Sequence, residues 1–163
     1  MNILQFGRGR MEPWSTSAAG SGESADIAFE DIQLGAGDDV AVALAITHDL
    51  VDDVKQHITD ACLPIGRMLA IRPKNGPGQG GVRNAAHALA IADEVTALIK
   101  KRSPDERKGC LHLFAASPNT LIFLLGQLSK SFGSVTLYEY DFEQTRGGGY
   151  EPSLTLPLPP AAA

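Results

Sequence analysis

The chain has 163 residues, a length that suits a single domain. Hydrophobic residues make up 44% of it and charged residues 20%, so the composition is that of an ordinary globular protein and argues against disorder and against a membrane span. The net charge of −5 argues against a broad surface for duplex DNA or anionic lipid, and any anionic ligand must be held by local groups.

The N-terminal region does not read as a folded element. Arg8 and Arg10 are not followed by an apolar run, so no signal peptide is indicated. Residues 1–24 are rich in Gly, Ser and Ala and lack sustained periodicity, which predicts an N-terminal tail or linker. Cys62 and Cys110 lie among apolar neighbours and are expected to be buried free thiols, so we expect a cytoplasmic protein.

Strand and helix patterns alternate from residue 25 onward. Ile27–Leu34 alternates loosely and predicts an edge strand, while Val40–Ile46 is a continuous apolar run typical of a buried parallel strand. Thr47 and Asp49 offer an N-cap and a first-turn acid to the helix that follows. The later elements are predicted as strand Arg67–Arg72, helix Val82–Lys101, strand Cys110–Ala116, helix Asn119–Phe132, strand Val135–Asp141 and a last strand Ser153–Leu156.

This alternation predicts the fold class. Strands joined through helices favour right-handed crossovers and therefore a mostly parallel sheet with helices on both faces. We expect a Rossmann-like α/β domain over residues 25–157, followed by a C-terminal tail at residues 158–163.

Three segments with polar and small residues follow predicted strands. Ligands of open parallel sheets bind beyond the carboxyl ends of the strands, at helix N-termini. Thr47–Asp49, Lys74–Gly81 and Ala115–Thr120 occupy that edge and should converge in the fold. Ser117 and Pro118 are expected as the N-cap and the first residue of the helix that follows.

The second of these segments is rich in glycine. Gly76–Gly81 formally matches the dinucleotide motif G-x-G-x-x-G, but the next strand ends without the acid that would hold a ribose hydroxyl. A flexible connection is the simpler interpretation. Arg83 is predicted in the first turn of the next helix, where the dipole disfavours a cation, so either a bound anion or a carboxylate partner is expected beside it.

The four histidines do not form a metal-binding set. His57 is expected in a surface pair, and His112 is expected as a hydrogen-bonded core residue. His87, four residues after Arg83, either lines the same edge or, as the simpler interpretation, occupies a solvated helix position. His48 alone lies on the predicted ligand edge. Ser117 lacks the G-x-S-x-G context of a nucleophile elbow, and neither cysteine is placed as a nucleophile, so we expect no catalytic residue, metal or cofactor.

The predicted helix Asn119–Phe132 is apolar nearly all round. Covering one face of a sheet needs a single apolar stripe, so the excess is expected to pack on the N-terminal segment or on another domain or subunit. The second interpretation predicts self-association or docking on a partner, with Leu125 at an outward position.

Two stretches carry a family resemblance. Leu111–Gln127 (LHLFAASPNTLIFLLGQ) and Val135–Asp141 (VTLYEYD) resemble the C-terminal half of the SAVED domain, and Val42–Asp49 (VALAITHD) and Asn84–His87 (NAAH) are also similar to that family. The resemblance covers about residues 26–156. It implies a sensor built from two Rossmann-like halves related to CARF domains, which binds a cyclic oligonucleotide second messenger in CBASS or CRISPR anti-phage defence.

The resemblance also implies the ligand and the partners. The ligand would be a cyclic di-, tri- or tetranucleotide such as a cyclic oligoadenylate, and binding would control the assembly or activation of an effector. The 163 residues provide for one of the two halves. The expected partner is therefore a second SAVED/CARF-like half, another copy of the chain, or a separate effector subunit, with no duplex DNA and no membrane.

These arguments lead to a set of expected ligand-binding residues. Tyr138 and Tyr140 share one face of their strand and either stack a base or belong to the core. Because an anionic ligand needs local cations, Arg83→Glu should abolish ligand binding. It should not lower the stability of the domain, because the helix dipole favours an acid over a cation in the first turn. The alternatives are a Rossmann-like nucleotide-dependent enzyme that uses the glycine-rich loop and a structural adaptor without a small ligand. The full set is Thr47, His48, Asp49, Lys74, Gln79, Arg83, Ala116, Ser117, Asn119, Thr120, Tyr138 and Tyr140.

Overall fold

The computed structural model describes residues 2–7, 10–15, 22–141 and 149–158. Strands β1 (Asn2–Gly7) and β2 (Arg10–Ser15) pair antiparallel as a separate two-stranded sheet. The segment 1–24, expected to be a tail or linker, therefore contains a hairpin. The Gly, Ser and Ala residues that suggested a linker cluster after Ser15, which is why the overall composition of the segment concealed the two strands.

The remaining elements form a six-stranded sheet with three helices. The strand order is β3-β5-β4-β6-β7-β8, in which the inner four strands are parallel and each edge strand is antiparallel to its neighbour. None of the helices in the described ranges combines the length and apolar character needed to cross a bilayer. The elements are β3 (Ile27–Gln33), β4 (Asp39–Ala45), α1 (Val51–Asp60), β5 (Ile65–Pro73), α2 (Ala85–Lys100), β6 (Cys110–Ala116), α3 (Asn119–Leu128), a 3-10 turn (Ser129–Ser131), β7 (Ser134–Tyr140) and β8 (Tyr150–Leu156).

The central strand β4 divides the core into two layers. On one face, large side chains including Val42 and Leu44 pack with α2 and α3, while on the other face Ala41 and Ala43 lie in the layer that contains α1. Successive side chains of a strand point to opposite faces, so this single apolar run supplies both layers. The predicted α/β class, a mostly parallel sheet with helices on both faces, is confirmed.

The starts of the three described α-helices all differ from the expectation. Helix α1 begins at Val51 with Leu50 at the N-cap position, so the expected Thr47 N-cap is wrong. Asp49 lies before the first turn, where its Oδ1 accepts the Val51 backbone N–H at 3.1 Å. Asn84, in an extended conformation, caps α2 by accepting the His87 backbone N–H at 2.9 Å, so the helix begins at Ala85 and Arg83 lies before it. The cap of α3 is Pro118, without a side-chain hydrogen bond, and the Ser117 Oγ is buried with no hydrogen-bond partner among the described residues. The expected Ser117 N-cap is therefore wrong.

The apolar excess of α3 is used within the domain. Leu121, Leu124 and Leu125 are buried, and α3 packs against α2 as well as the sheet. Leu125, expected to point outward, is only 2% exposed, whereas Phe123 on the same helix is 44% exposed. A partner for α3 stays a prediction.

The glycine-rich loop between β5 and α2 is docked on the end of β4. The Gly78 N–H donates to the Ile46 carbonyl at 3.0 Å. A Cβ on Gly81 would lie 2.5 Å from the same oxygen and 2.9 Å from the Ile46 Cγ2. Gly81 is thus required by a close backbone approach, and the loop is fastened to the sheet edge rather than freely flexible.

We predict that Gly81→Ala destabilises the domain by about 1–3 kcal/mol, because the added methyl group forces the loop away from Ile46. Gly80→Ala is the matched control, since a Cβ there meets nothing within 4 Å. Urea denaturation of both variants measures the difference. Equal stability of the two variants would contradict the docked loop.

Candidate ligand-binding site

A cleft of about 540 Å³ opens at the carboxyl edge of the sheet, a size within the usual range for ligand sites. Its walls come from the start of α1, from the connection between β6 and α3, and from the end of β7. Because β8 runs antiparallel to β7, its first residue, Tyr150, pairs with Tyr140 and also reaches this edge. We call this the aromatic cleft, lined by His48, Leu50, Asp53, Ala115, Ala116, Asn119, Tyr138, Glu139, Tyr140 and Tyr150.

Stacked rings form the floor of the aromatic cleft. Tyr138 lies on Phe114 with centroids 4.3 Å apart and an angle of 21°, and only 8% of Tyr138 is exposed. Tyr150 meets Phe114 edge-on at 5.1 Å and Tyr140 edge-on at 5.2 Å. Tyr140 is 43% exposed. The two tyrosines of β7 therefore differ, since Tyr138 belongs to the core and Tyr140 presents its ring to solvent.

The hydroxyl of Tyr138 is held from below by His112. The His112 Nδ1 lies 3.0 Å from this hydroxyl, and its Nε2 lies 3.0 Å from the Asp39 Oδ2. The expectation of a hydrogen-bonded core histidine is confirmed. Burial, together with nearby Cys110 and Asp39, raises the pKa of the Tyr138 phenol, so the hydroxyl keeps its proton.

His57 packs against the same rings. Its ring meets those of Phe114, Tyr138 and Tyr150 at angles of 66–68° with centroids 5.6–5.8 Å away, so the expected surface pair is wrong. The His57 Nε2 is buried and has no hydrogen-bond partner among the described residues. Burial lowers the pKa of His57, against the opposite effect of the Glu151 and Asp60 carboxylates.

The charge of the aromatic cleft is negative. The described lining residues include the carboxylates Asp53 and Glu139 but no lysine or arginine. Burial and the nearby Asp53 raise the pKa of Tyr150 to about 12, so this phenol is neutral. Aromatic faces with acceptor carboxylates suit a base or a ribose hydroxyl better than a phosphate.

A second depression of about 300 Å³ lies at the glycine-rich loop, between it and residues 26, 83 and 87. Arg83 is paired there with Glu23 at 2.9 Å and with Asp26 at 2.8 Å. Of the two expectations for Arg83, the structure shows the carboxylate partner. Because Arg83→Glu would gather three carboxylates, we now expect it to lower stability, contrary to the sequence-based expectation.

His87 helps to fasten the segment before β3 to this loop. It is 3% exposed, its Nδ1 accepts the Arg83 backbone N–H at 3.1 Å, and its Nε2 lies 2.9 Å from the Ala25 carbonyl. The solvated position expected for His87 is therefore wrong. Because the Arg83 N–H occupies Nδ1, the ring proton is on Nε2 and donates to Ala25.

The other expected site residues lie near the edge but line neither depression. The Thr47 N–H donates to the Ala116 carbonyl at 2.9 Å, while Asp49 pairs with Arg72 at 3.1 Å. Lys74 and Gln79 are exposed on the loop. Ser117 and Thr120 are at the start of α3, Thr120 being buried.

The structure thus brings five of the expected residues into one cleft: His48, Ala116, Asn119, Tyr138 and Tyr140. Sequence reasoning missed Leu50, Asp53, Ala115, Glu139 and Tyr150 as lining residues. The available signal for Tyr150 was its place just before the last predicted strand, which begins at Tyr150 rather than at residue 153.

The cysteines differ from the expectation as well. Cys62 is exposed and Cys110 is half-buried, so neither is a fully buried thiol. Cys62 follows α1 with a φ of +49°. The described residues contain no cluster of three or more His, Cys, Asp or Glu placed to hold a metal ion.

A mostly parallel sheet with a cleft at its carboxyl edge defines a ligand-binding α/β domain. The family model for the "SMODS-associated and fused to various effectors sensor domain", SAVED, matches residues 1–156. The chain belongs to the SAVED family. The match includes the N-terminal segment that composition had separated from the domain.

A relative found by sequence similarity is considerably longer than this chain. The chain is 36% identical over 157 residues to CD-NTase-associated protein 4 of Enterobacter hormaechei subsp. hoffmannii (strain UCI 50), a match covering 96% of the chain and 31% of the relative. The chain thus spans about a third of that relative's length.

Solved structures show the same fold. The Acinetobacter baumannii Cap4 SAVED/CARF-domain containing receptor with the cyclic trinucleotide 3'3'3'-cAAA matches with a TM-score of 0.66 and 16% identity, over 97% of the chain and 33% of the receptor. The receptor with 2'3'3'-cAAA matches with a TM-score of 0.66 and 16% identity, over 93% of the chain and 31% of the receptor.

The half-buried His57 gives a pH prediction. Because its pKa is lowered on folding, the unfolded chain binds more protons than the folded chain near and below pH 6.5. The contribution of neutral His57 to the free energy of unfolding is therefore present at higher pH and lost as the pH falls. The stability of the domain should drop between about pH 7.5 and 5.5. The titratable groups that face His57 are Glu151, Asp60 and His112.

His57→Phe should flatten this slope, because a phenyl ring keeps the edge contacts and takes up no proton. Urea denaturation across the pH series measures the slope, and His48→Ala, at an exposed position, is the control that should keep it. An unchanged slope in His57→Phe would show that the acid sensitivity arises elsewhere.

Proposed function

We propose that this chain is a cyclic-oligonucleotide sensing module of a bacterial anti-phage defence system and is not itself an enzyme. The observation that carries the proposal is the aromatic cleft at the ligand-binding edge of a SAVED-family domain. The Cap4 receptors that share the fold contain cyclic trinucleotides, which supports a ligand of this class.

Tyr140 is proposed as the platform for a base. Its ring is exposed, and its edge-on contact with Tyr150 limits its freedom, so stacking on it costs little ordering. Asp53 also lines the cleft and offers acceptor oxygens to a base amino group or a ribose hydroxyl.

The phosphates are proposed to lie at the start of α3, between Ala116 and Asn119, with His48 on the other side. The N-terminus of a helix favours an anion, and α3 has no side-chain cap to occupy it. These groups do not balance the charge of several phosphates. We therefore propose that further cations come from a second SAVED/CARF-like half, another copy of the chain or an effector subunit.

Arg83 is not proposed to bind the phosphates of the ligand, because Glu23 and Asp26 already neutralise its charge. The glycine-rich loop also argues against the nucleotide-dependent enzyme. Gly76, Gly78 and Gly81 donate their N–H groups to carbonyls of the protein, at 2.9, 3.0 and 2.9 Å, so these donors are not available to a pyrophosphate.

The test is calorimetric titration of the chain with 3'3'3'-cAAA and, separately, with NAD. We predict that Tyr140→Ala weakens binding of the cyclic trinucleotide by about 5- to 150-fold, the range that corresponds to one base–aromatic stack. Tyr140→Phe should bind nearly as wild type because it keeps the ring. Phe123→Ala is the matched control, since it removes a similarly exposed ring on α3 that does not line the cleft.

Three results would contradict the proposal in different ways. Binding of NAD but of no cyclic di-, tri- or tetranucleotide would favour the enzyme. Constitutive association without any ligand-induced thermal shift would favour the adaptor. Equal losses of affinity in Tyr140→Ala and Phe123→Ala would place the ligand outside the aromatic cleft.

A further inference from the structure

We infer that His112 and Asp39 are positioning residues for the aromatic cleft, which hold the Tyr138 ring in the floor through a buried hydrogen-bond chain. The inference rests on the proposed function, because it concerns how the ligand-binding floor is kept in place. Neither residue lines the cleft itself.

The chain of hydrogen bonds starts at the opposite end of the sheet. Asp39 is the first residue of β4, and its Oδ1 accepts the Cys110 backbone N–H at 2.7 Å. Gly109 makes room for this carboxylate, since a Cβ there would lie 2.6 Å from the Asp39 Oδ1. The aspartate is therefore fixed by the backbone at the amino end of β6.

For an ionised aspartate and a neutral imidazole, the donors and acceptors allow one arrangement. A carboxylate only accepts, so His112 carries its proton on Nε2 and donates it to the Asp39 Oδ2 at 3.0 Å. The neutral ring then has a lone pair on Nδ1, which accepts the Tyr138 O–H at 3.0 Å. Asp39 thus selects the tautomer of His112 that can hold Tyr138.

The orientation of Tyr138 matters because each aromatic ring of the cleft contacts the next one, so that a shift of one ring displaces its neighbour. Tyr138 stacks on Phe114, Phe114 meets Tyr150 edge-on, and Tyr150 meets the exposed Tyr140. Stacking allows the Tyr138 ring to slide over the Phe114 ring. The hydrogen bond from the Tyr138 hydroxyl to His112 fixes the position of the Tyr138 ring along that direction. Affinity depends on such support, because a binding group that moves must be ordered when the ligand arrives.

A contribution to folding stability does not by itself account for the hydrogen-bond chain from Asp39 through His112 to Tyr138. Burying polar groups costs desolvation, and replacing such a network by apolar residues of similar size is often neutral or stabilising. His112 is 6% exposed and lies on the sheet face that also carries the apolar Phe114 and Met68, where a leucine would find apolar neighbours. The geometry accordingly points to orientation of Tyr138 as the role of the network.

The test compares affinity for 3'3'3'-cAAA in His112→Leu, His112→Gln, Tyr138→Phe and the double variant of His112→Leu with Tyr138→Phe. We predict that His112→Leu weakens binding about three- to tenfold, the worth of one hydrogen bond. His112→Gln should recover most of that loss, because its amide can donate to Asp39 and accept from Tyr138. Tyr138→Phe should lose a similar factor, and the double variant should lose no more than Tyr138→Phe alone.

Urea denaturation of the same variants separates orientation from folding. Additive losses of affinity in the double variant, or wild-type affinity in His112→Leu, would overturn the inference. If His112→Leu fails to fold, Tyr138→Phe decides, since it keeps the ring and removes only the hydroxyl: unchanged affinity in it also overturns the inference.

A second measurement does not depend on any ligand. Long-range proton–nitrogen correlation spectra should show the Nε2–H tautomer of His112 in the wild type, and its loss in Asp39→Leu. A wild type with this tautomer that binds no cyclic trinucleotide would refute the proposed function and leave the hydrogen-bond chain standing. The Nδ1–H tautomer in the wild type would overturn the inference itself.

Discussion

The peptide groups at the end of β4 hold the ligand edge of the domain together. The Ile46 N–H donates to the Ala116 carbonyl at 2.9 Å, and the same carbonyl accepts the Thr47 N–H at 2.9 Å. The Ile46 carbonyl accepts the Gly78 N–H from the other side. One residue thus joins the end of β6, which leads to α3, to the loop that leads to α2. Both depressions at the edge are built around this junction.

The junction also separates two chemical environments. On the α1 side the aromatic cleft offers rings and carboxylates, and on the α2 side Arg83 is neutralised by Glu23 and Asp26. A polyanion therefore meets no unpaired arginine among the described residues of either depression. In the proposed complex, the aromatic cleft therefore contacts a base of the ligand, and another surface balances most of the phosphate charge.

The sequence was sufficient for the central elements and for part of the cleft. Val40–Ile46 could be recognised because a fully buried strand has no polar side, and the small residues at Ala115 and Ala116 marked a strand end. Helical spacing could not place His57 or His87, because it gives the face of a helix but not what covers that face. The partners of Arg83 lie 57 and 60 residues away in the chain, so no local pattern reveals them. Tyr150 joins the cleft through the antiparallel pairing of β8, which depends on tertiary structure.

The aromatic character of the cleft follows from how the two sheet faces are covered. Six strands about 4.8 Å apart span about 24 Å, whereas a helix of about 10 Å diameter covers roughly two strands. Among the described residues, two helices, α2 and α3, pack on one face, whereas the ten-residue α1 alone packs on the other. Beside α1, the side chains of β6, β7 and β8 must therefore exclude water themselves. Large rings do this best, since each buries a large area, and their exposed rim is then a surface on which a planar base can stack. The shortage of helices on one face is thus the physical origin of the proposed binding site.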